Sequence, residues 1–488
     1  MTTPTSNLLV IVSDEQAAQY MGCSGHPIVK TPHLDRLAAR GTRFENAYTN
    51  CPICVPARAS LATGRYVHEI GTWDNAISYE GTPTSWADRL TAAGRPAVSI
   101  GKLHYRDDQV LGGFDETQMP MHIIDGLGDL LGCVRDPLPV RHKTKSLSQE
   151  LGPGESSYTR YDRAITQAAV DWIEQVAPTR SEPWTLYAGL VAPHFPLIAP
   201  PEFFAMYPPE QMPLPKASDP SEWPRHPWLE QIRKCFIWND FFDDDKRRLA
   251  TASYFALCSF LDDNIGKILA ALDGSGAAAR TRILYASDHG DNLGVRGLWG
   301  KSNHYEESVA IPLIIAGPDV PEGRVMTTPV TLVDVFPTVL DCTGTAALAE
   351  DADKPGRSLL ALARGEEEPD RVAFSEYHAA GAASGTFMLR RGRYKLIWYV
   401  GMAPQLFDLQ ADPEEINDLA DAPAHQAERK LLEALLRGIC DPDAVDRQAK
   451  ADQAAVVEKN GGREAVIERG TFGATPPPGE GKDKIKFV

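Results

Sequence analysis

Short apolar runs that stop abruptly at polar residues recur along this chain. Leu8-Leu9-Val10-Ile11-Val12 runs into Ser13-Asp14-Glu15-Gln16, and Ala97-Val98-Ser99-Ile100 into Gly101-Lys102-Leu103-His104. Trp184 to Val191 runs into Ala192-Pro193-His194, and Ile283-Leu284-Tyr285-Ala286 into Ser287-Asp288-His289-Gly290. Unbroken apolar runs of this length read as strands buried on both faces, hence a parallel sheet. Helical spacing lies between them, over Pro32 to Arg40 (closed by Gly41), Tyr161 to Ala177 and Arg247 to Leu272. Alternating strands and helices predict a doubly wound, mostly parallel α/β domain. Ligands of such open sheets bind beyond the carboxyl ends of the strands, which is where all four polar clusters fall. One Asp or His there is usually a cap or a solvated loop residue. Four clusters of metal-ligand and anion-binding types at four strand ends are harder to explain that way.

The pattern changes near Arg371. Val372 to Tyr377, Thr386 to Arg390, Tyr394 to Tyr399 and Leu406 to Leu409 read as strands, with a hairpin turn at Arg391-Gly392-Arg393. Ala424 to Leu436 reads as an amphipathic helix stopped near Gly438. The expected organisation is a catalytic α/β domain over 1–370, a small α+β domain over 371–440, and a C-terminal extension over 441–488. The extension is charged, then Gly/Pro-rich at Ala474-Thr475-Pro476-Pro477-Pro478-Gly479. It reads as disordered or as an oligomerisation arm packing on a neighbouring subunit.

Composition narrows the classes. The 488 residues exceed one ordinary core, and a formal charge of −17 argues against a nucleic-acid partner. It does not exclude an anionic substrate, because a local basic pocket can sit inside an acidic protein. Leu8 to Val12 is too short for a signal-peptide core, and no segment reaches the ~20 apolar residues of a membrane span. The expectation is therefore a cytoplasmic protein with no membrane partner. The eight cysteines are scattered, unlike a disulfide framework. Cys51 and Cys54 form a C-x-x-C, open to a redox or half-zinc reading, but no second pair exists for structural zinc.

The segment Cys51-Pro52-Ile53-Cys54-Val55-Pro56-Ala57-Arg58-Ala59-Ser60-Leu61-Ala62-Thr63-Gly64-Arg65 carries the chemistry. It resembles the signature of the formylglycine-dependent type I sulfatase family, in the alkaline phosphatase superfamily. That signature, C-x-P-x-R with a later T-G-R, is matched by Cys54, Pro56, Arg58, Thr63, Gly64 and Arg65. The likeness extends to Lys30 to Asp35, Gly101-Lys102-Leu103-His104, Pro193-His194-Phe195-Pro196, Ser287-Asp288-His289-Gly290, Lys301, and Leu406 to Glu415. The Asp288-His289 pair and Trp73-Asp74-Asn75 place the resemblance nearest the choline sulfatase and phosphonate monoester hydrolase branch. It implies an alkaline-phosphatase-like fold and a sulfuric ester hydrolase whose nucleophile is Cys54 modified to formylglycine.

The remaining roles follow from that resemblance and from what sulfate ester cleavage needs: a Lewis acid, a nucleophile and help for the leaving oxygen. Asp14, Asp288, His289 and position 54 would hold one divalent metal. Glu15, where relatives often carry a second aspartate, would ligate it or orient a ligand. Ca2+ is the family default, and an imidazole ligand makes Mn2+ its rival. Arg58 would hold the formylglycine hydrate, with Asp288 as its base. Lys102, His104, His194 and Lys301 would neutralise the transferring group. His194 or Lys301 would protonate the leaving alcohol, and His104 would assist sulfate release. Asn75, Lys102, His194 and Lys301 would contact substrate sulfate, and Glu376 and His378 are candidates to approach it from the small domain. The expected partners are a small-molecule sulfate ester, a formylglycine-generating enzyme acting transiently, and further copies in a homodimer or homotetramer. Two rivals stay open: a phosphonate monoester or phosphodiester hydrolase with the same nucleophile, and a non-enzymatic binder of sulfated ligands with Cys54 unmodified. Lys102 and His104 favour the sulfatase, because relatives of the first rival replace that element with a Tyr/Thr pair.

Overall fold

The computed structural model describes residues 6–366, 368–471 and 475–480. Residues 472–474 and 481–488 of the predicted extension lie outside the described residues.

An eight-stranded sheet forms the centre. Its strands are β1 (Asn7–Asp14), β2 (Gly41–Phe44), β3 (Ala97–Lys102), β4 (Glu116–Met121), β5 (Thr185–Pro193), β6 (Thr281–Ser287), β7 (Leu313–Ala316) and β8 (Arg324–Met326). The order is β8-β2-β7-β6-β1-β5-β3-β4, and only β7 runs antiparallel to its neighbours. The four predicted apolar runs are thus β1, β3, β5 and β6. Every residue of all four is buried. Successive side chains of β1 enter different cores: Leu9 and Ile11 pack on one face, Leu8, Val10 and Val12 on the other. Because both faces are covered, the sequence shows a continuous run and no alternation.

Helices cover each face. α1 (Pro32–Ala39), α3 (Ser157–Asp171) and the 31-residue α4 (Asp244–Gly274) belong to the first core, and α2 (Cys54–Thr63) to the second. Asp243 caps α4 by accepting from the Lys246 N–H at 2.9 Å. The predicted helix from Tyr161 to Ala177 is α3 followed by a π-helical turn, Trp172–Val176.

The second sheet is an antiparallel meander of β9 (Val372–Tyr377), β10 (Thr386–Arg391), β11 (Tyr394–Tyr399) and β12 (Gln405–Asp408). The hairpin falls where Gly392, at φ 53°, allows the turn. Helix α5 (Gln426–Ile439) buries Leu432 and Leu436 against this sheet.

Disorder does not describe the first part of the extension. α6 (Pro442–Lys459) and α7 (Gly462–Arg469) are helical, and Asp441 caps α6 by accepting from the N–H groups of Asp443 and Ala444. α6 packs on its own chain through polar contacts. Gln453 donates to Asp74 at 2.7 Å and to the His378 carbonyl at 2.8 Å, and the Trp73 indole donates to Asp452 at 2.8 Å. A helix anchored by buried amides and carboxylates leaves little apolar pattern to read.

Candidate active site

Sheet order decides what meets. β6, β1, β5 and β3 are consecutive neighbours, so Asp288, Asp14, His194 and Lys102 emerge side by side at one sheet edge. Helix α2 brings residue 54 to the same place. Ile53 is extended, the helix starts at Cys54, and Asn75 Oδ1 accepts from the Val55 N–H at 3.1 Å. Cys54 and Arg58 are one turn apart and share a face, which is why the motif spaces them by four. Gly64 ends the helix at φ 66°, where an added Cβ would stand 2.6 Å from the Phe336 Cβ.

Ligand atoms of Asp14, Cys54, Asp288 and His289 all lie within 4.8 Å of one another, and all four residues are buried. The Cys54 Sγ is 3.2 Å from His289 Nε2 and 3.6 Å from Asp14 Oδ1. His289 donates through Nδ1–H to the Gly290 carbonyl at 3.0 Å, which leaves the Nε2 lone pair facing the cluster. Two carboxylates, an imidazole and residue 54, all buried, form a donor set suited to a divalent cation. Glu15 belongs to a different group, with Asp14 and His194. Its Oε2 lies 3.1 Å from Lys301 Nζ and 3.3 Å from His194 Nε2, while its Oε1 is buried with no partner among the described residues.

Arg58 stands behind the carboxylates. It donates to Asp288 Oδ2 at 2.8 Å, Asp14 Oδ2 at 3.3 Å, the Lys102 carbonyl at 3.0 Å and the Tyr187 hydroxyl at 3.1 Å. Its recorded bonds go to these partners and the Ser13 carbonyl, none to Cys54. In this arrangement Arg58 anchors the two carboxylates. Asp288 is equally engaged: its Oδ1 accepts from the Glu15 and His289 N–H groups at 3.2 and 2.9 Å. Lys102 pairs with Asp14 Oδ2. Lys301 Nζ reaches Cys54 Sγ at 3.4 Å and His194 Nε2 at 2.9 Å.

These contacts set the protonation states. Burial alone would raise Asp14, but Lys102, His194, Arg58 and Lys301 hold it well below the usual carboxylate range. Burial pushes Glu15 well above its own, opposed by Lys301. Burial also pulls Lys301 down, yet Cys54, Glu15 and Asp14 outweigh it and keep the ammonium charged. His104 and His194 are driven well below neutrality, chiefly by burial and then by Lys102 and Lys301 respectively. Burial, with Asp14 next, lifts the unmodified Cys54 thiol to about 11. A plain thiol here would be a poor nucleophile at neutral pH.

The cleft above Cys54 is lined by Asn75, Lys102, His104, His194 and Lys301, all predicted. Arg141, Phe236, Trp238 and Thr475 also line it. Thr475 Oγ1 lies 3.0 Å from His104 Nε2, and the Thr475 carbonyl accepts from the Tyr158 hydroxyl at 2.6 Å. The extension thus reaches the active cleft of its own chain. No motif marks Thr475 or Arg141; only the positive φ of Glu15 (69°), His104 (63°) and Ser302 (84°) betrays the strain common at working sites, and that is a structural signal. Glu376 and His378 are not in the cleft lining. Glu376 Oε1 accepts from the N–H and Nδ1–H of His68, and its Oε2 faces His378 Nε2 at 3.1 Å.

Comparison with known proteins decides the family. The family described as Sulfatase matches residues 6–345, and N-sulphoglucosamine sulphohydrolase, C-terminal, matches residues 294–440. The chain belongs to the sulfatase family. This sulfatase is 30% identical to a choline-sulfatase of Rhizobium meliloti over 485 residues, covering 98% of this chain and 94% of that one. It is also 30% identical to arylsulfatase K of Danio rerio, over 90% of this chain and 85% of that one. Among solved structures it superposes on a phosphonate monoester hydrolase of Agrobacterium radiobacter with a TM-score of 0.73 at 22% identity, covering 89% and 95% of the two chains. The alkaline-phosphatase-like α/β fold and the sulfuric ester hydrolase class read from the sequence stand. Among the described residues, no helix is long and apolar enough to cross a membrane.

Proposed function

We propose that this sulfatase hydrolyses an organic sulfate monoester using residue 54, matured from cysteine to formylglycine, and one divalent cation held by Asp14, Asp288, His289 and residue 54. The observation that supports it most is the buried convergence of those side chains from three separated segments. When present, the cation would supply Lewis acidity towards a sulfuryl oxygen, and the hydrated aldehyde would supply the attacking hydroxyl. His289 tilts the metal preference towards Mn2+, against the Ca2+ common in the family.

The chain's own residues do the rest. Arg58 fixes Asp14 and Asp288 in ligand orientation. Lys102, buried, and Lys301, partly buried, place two positive charges where negative charge accumulates on the transferring group. The proton for the departing oxygen sits at Lys301 Nζ. His194, neutral and 2.9 Å away, is its hydrogen-bond partner. His104 is neutral too and faces the cleft, available to take a proton as sulfate leaves. Glu15 holds the Lys301–His194 pair in place, and Asn75 spans the start of α2 and the cleft wall.

Cys54 is 1% exposed, so a formylglycine-generating enzyme has to meet the chain before α2 is buried. All eight cysteines are unpaired, which supports a reducing, cytoplasmic compartment. The test is peptide mass spectrometry at position 54 together with aryl sulfate turnover. Loss of sulfur with gain of oxygen, in step with activity, is the expected result; full turnover by protein with an intact Cys54 thiol would refute it. The phosphonate monoester hydrolase reading is tested in parallel with an aryl phosphonate, which is expected to be the poorer substrate.

A further inference from the structure

Beyond the groups that handle the sulfuryl moiety, the cleft carries a second recognition element. Arg141 is 8% exposed and lines the cleft that contains Cys54. Its Nη2 donates to Asp129 Oδ2 at 2.5 Å and to Thr471 Oγ1 at 3.2 Å. Its Nη1 is buried with no hydrogen-bond partner among the described residues. A buried guanidinium donor left unmade is unfavourable, and an acceptor on a ligand would satisfy it. Arg135, Arg233, Arg247, Arg371, Arg390 and Arg429 also carry a buried nitrogen unmatched among the described residues, but none of them lines the cleft.

The surroundings point to the charge of that ligand. Asp129 is the sole acidic side chain among the described residues lining the cleft, and both its oxygens are taken. Oδ2 accepts from Arg141, and Oδ1 accepts from the Thr471 hydroxyl at 2.9 Å. Lys143 adds positive charge to the same wall. An aromatic cage for a quaternary ammonium would need open ring faces. Here the Arg141 guanidinium lies 5.5 Å from the Phe236 centroid, Phe236 is stacked on Trp238 at 4.4 Å, and Lys301 lies 5.3 Å from the Phe195 centroid. The protein's own cations thus already lie over Phe236 and Phe195.

We propose that the alcohol part of the substrate carries a second anionic group, a carboxylate or a further sulfate, that Arg141 receives, making Arg141 the residue that selects anionic over choline-like sulfates. This rests on the sulfatase reading above. The Asp129 contact orients the guanidinium; Nη1 is the donor offered to the ligand.

The test uses formylglycine-bearing enzyme and four aryl sulfates: unsubstituted, carboxylated, bis-sulfated and trimethylammonium-substituted. Because substituents alter leaving-group acidity, the deciding quantity is each charged-to-neutral ratio of kcat/KM compared between variants. Arg141→Met should cut the anionic-to-neutral ratio by roughly tenfold or more. Arg141→Lys, which keeps charge but not the planar fork, should fall between. Asp129→Asn, which removes a competing anion, should raise the ratio. The carboxylated and bis-sulfated arms separate the two anion types. A purely structural role would lower turnover of all four substrates together and overturn the proposal. So would a wild-type enzyme whose ratio is unmoved by Arg141→Lys and Asp129→Asn, which also covers the case of an unfolded Arg141→Met. Hydrolysis of none of the four by matured enzyme would remove the sulfatase reading and this proposal with it; hydrolysis of the neutral ester without an anionic preference removes this proposal alone.

Discussion

Two clusters of buried charge in this chain have opposite character. In the small sheet, Glu376 is fully buried between His68 and His378, and each carboxylate oxygen has a partner. Burial would raise this carboxyl, yet His68 and His378 hold it far below its usual range. At the strand ends, Glu15 is just as buried, one of its oxygens has no partner among the described residues, its pKa moves the other way, and its backbone sits at φ 69°. A buried charge closed by its neighbours belongs to the architecture, whereas one left open is held by the surrounding fold for a ligand. The contrast corrects the expectation that Glu376 and His378 reach the substrate.

The contrast breaks most sharply at the nucleophile. Cys54→Ala should abolish aryl sulfate turnover, a fall of at least about 10^4-fold as for other covalent nucleophiles. Far-ultraviolet circular dichroism should stay unchanged, because an alanine fits the start of α2. Retained turnover would mean that the open cluster is not the active site.

Next comes the metal. If the strand-end cluster is open because a cation completes it, Mn2+ or Ca2+ at about 100 times its Kd should stabilise the fold by about 2.7 kcal/mol. Thermal melting would read this as a rise of a few degrees, reversed by a chelator. Asp288→Asn should lose that rise. Equal metal stabilisation of wild type and Asp288→Asn would move the cation elsewhere.

The closed cluster should respond in stability, not in turnover. Glu376→Gln removes one partner of a buried ion pair and should cost about 3 kcal/mol in urea unfolding, with kcat/KM changed by less than about threefold. The pH dependence has a definite sign. A depressed Glu376 stabilises the fold above its ordinary 4.5, a contribution lost as pH falls. His68 is raised above its ordinary 6.5 by Glu376, against burial, so its contribution is complete below 6.5 and lost as pH rises through the folded value. The wild-type advantage over Glu376→Gln should therefore peak between those values. A flat difference from pH 4 to 9 would rule out the ion pair as its source.

How much of this was legible without coordinates follows from which interactions leave a pattern. Strands buried on both faces leave continuous apolar runs, so β1, β3, β5 and β6 and the polar residues after them could be read directly, and Asp14, Lys102, Asp288 and His289 with them. Cys54 and Arg58 could be read because a helical turn fixes their spacing. Trp238 and the stretch Pro201 to Asp245 could be named only as candidate pocket-mouth segments, and Arg141 could not be read at all, because the course of these segments depends on tertiary packing. Helix α6 was hidden for the complementary reason, since its anchors Asp446 and Gln453 are polar and look like a solvated, charged stretch.

The smallest effect is expected where the extension meets the cleft. His104 Nδ1 is buried with no partner among the described residues, so the bond of Nε2 to Thr475 Oγ1 is what sets the ring's orientation. Thr475→Val keeps the volume and removes the hydroxyl. One neutral hydrogen bond is worth about 0.5–1.5 kcal/mol, which corresponds to roughly a two- to tenfold fall in kcat at 1.4 kcal/mol per decade. KM should be nearly unchanged, because the sulfuryl group is still met by Lys102 and Lys301. A higher kcat, or a lower KM at constant kcat, would mean instead that Thr475 obstructs the cleft. The extension would then belong with the closed architecture typified by Glu376, not with the open site.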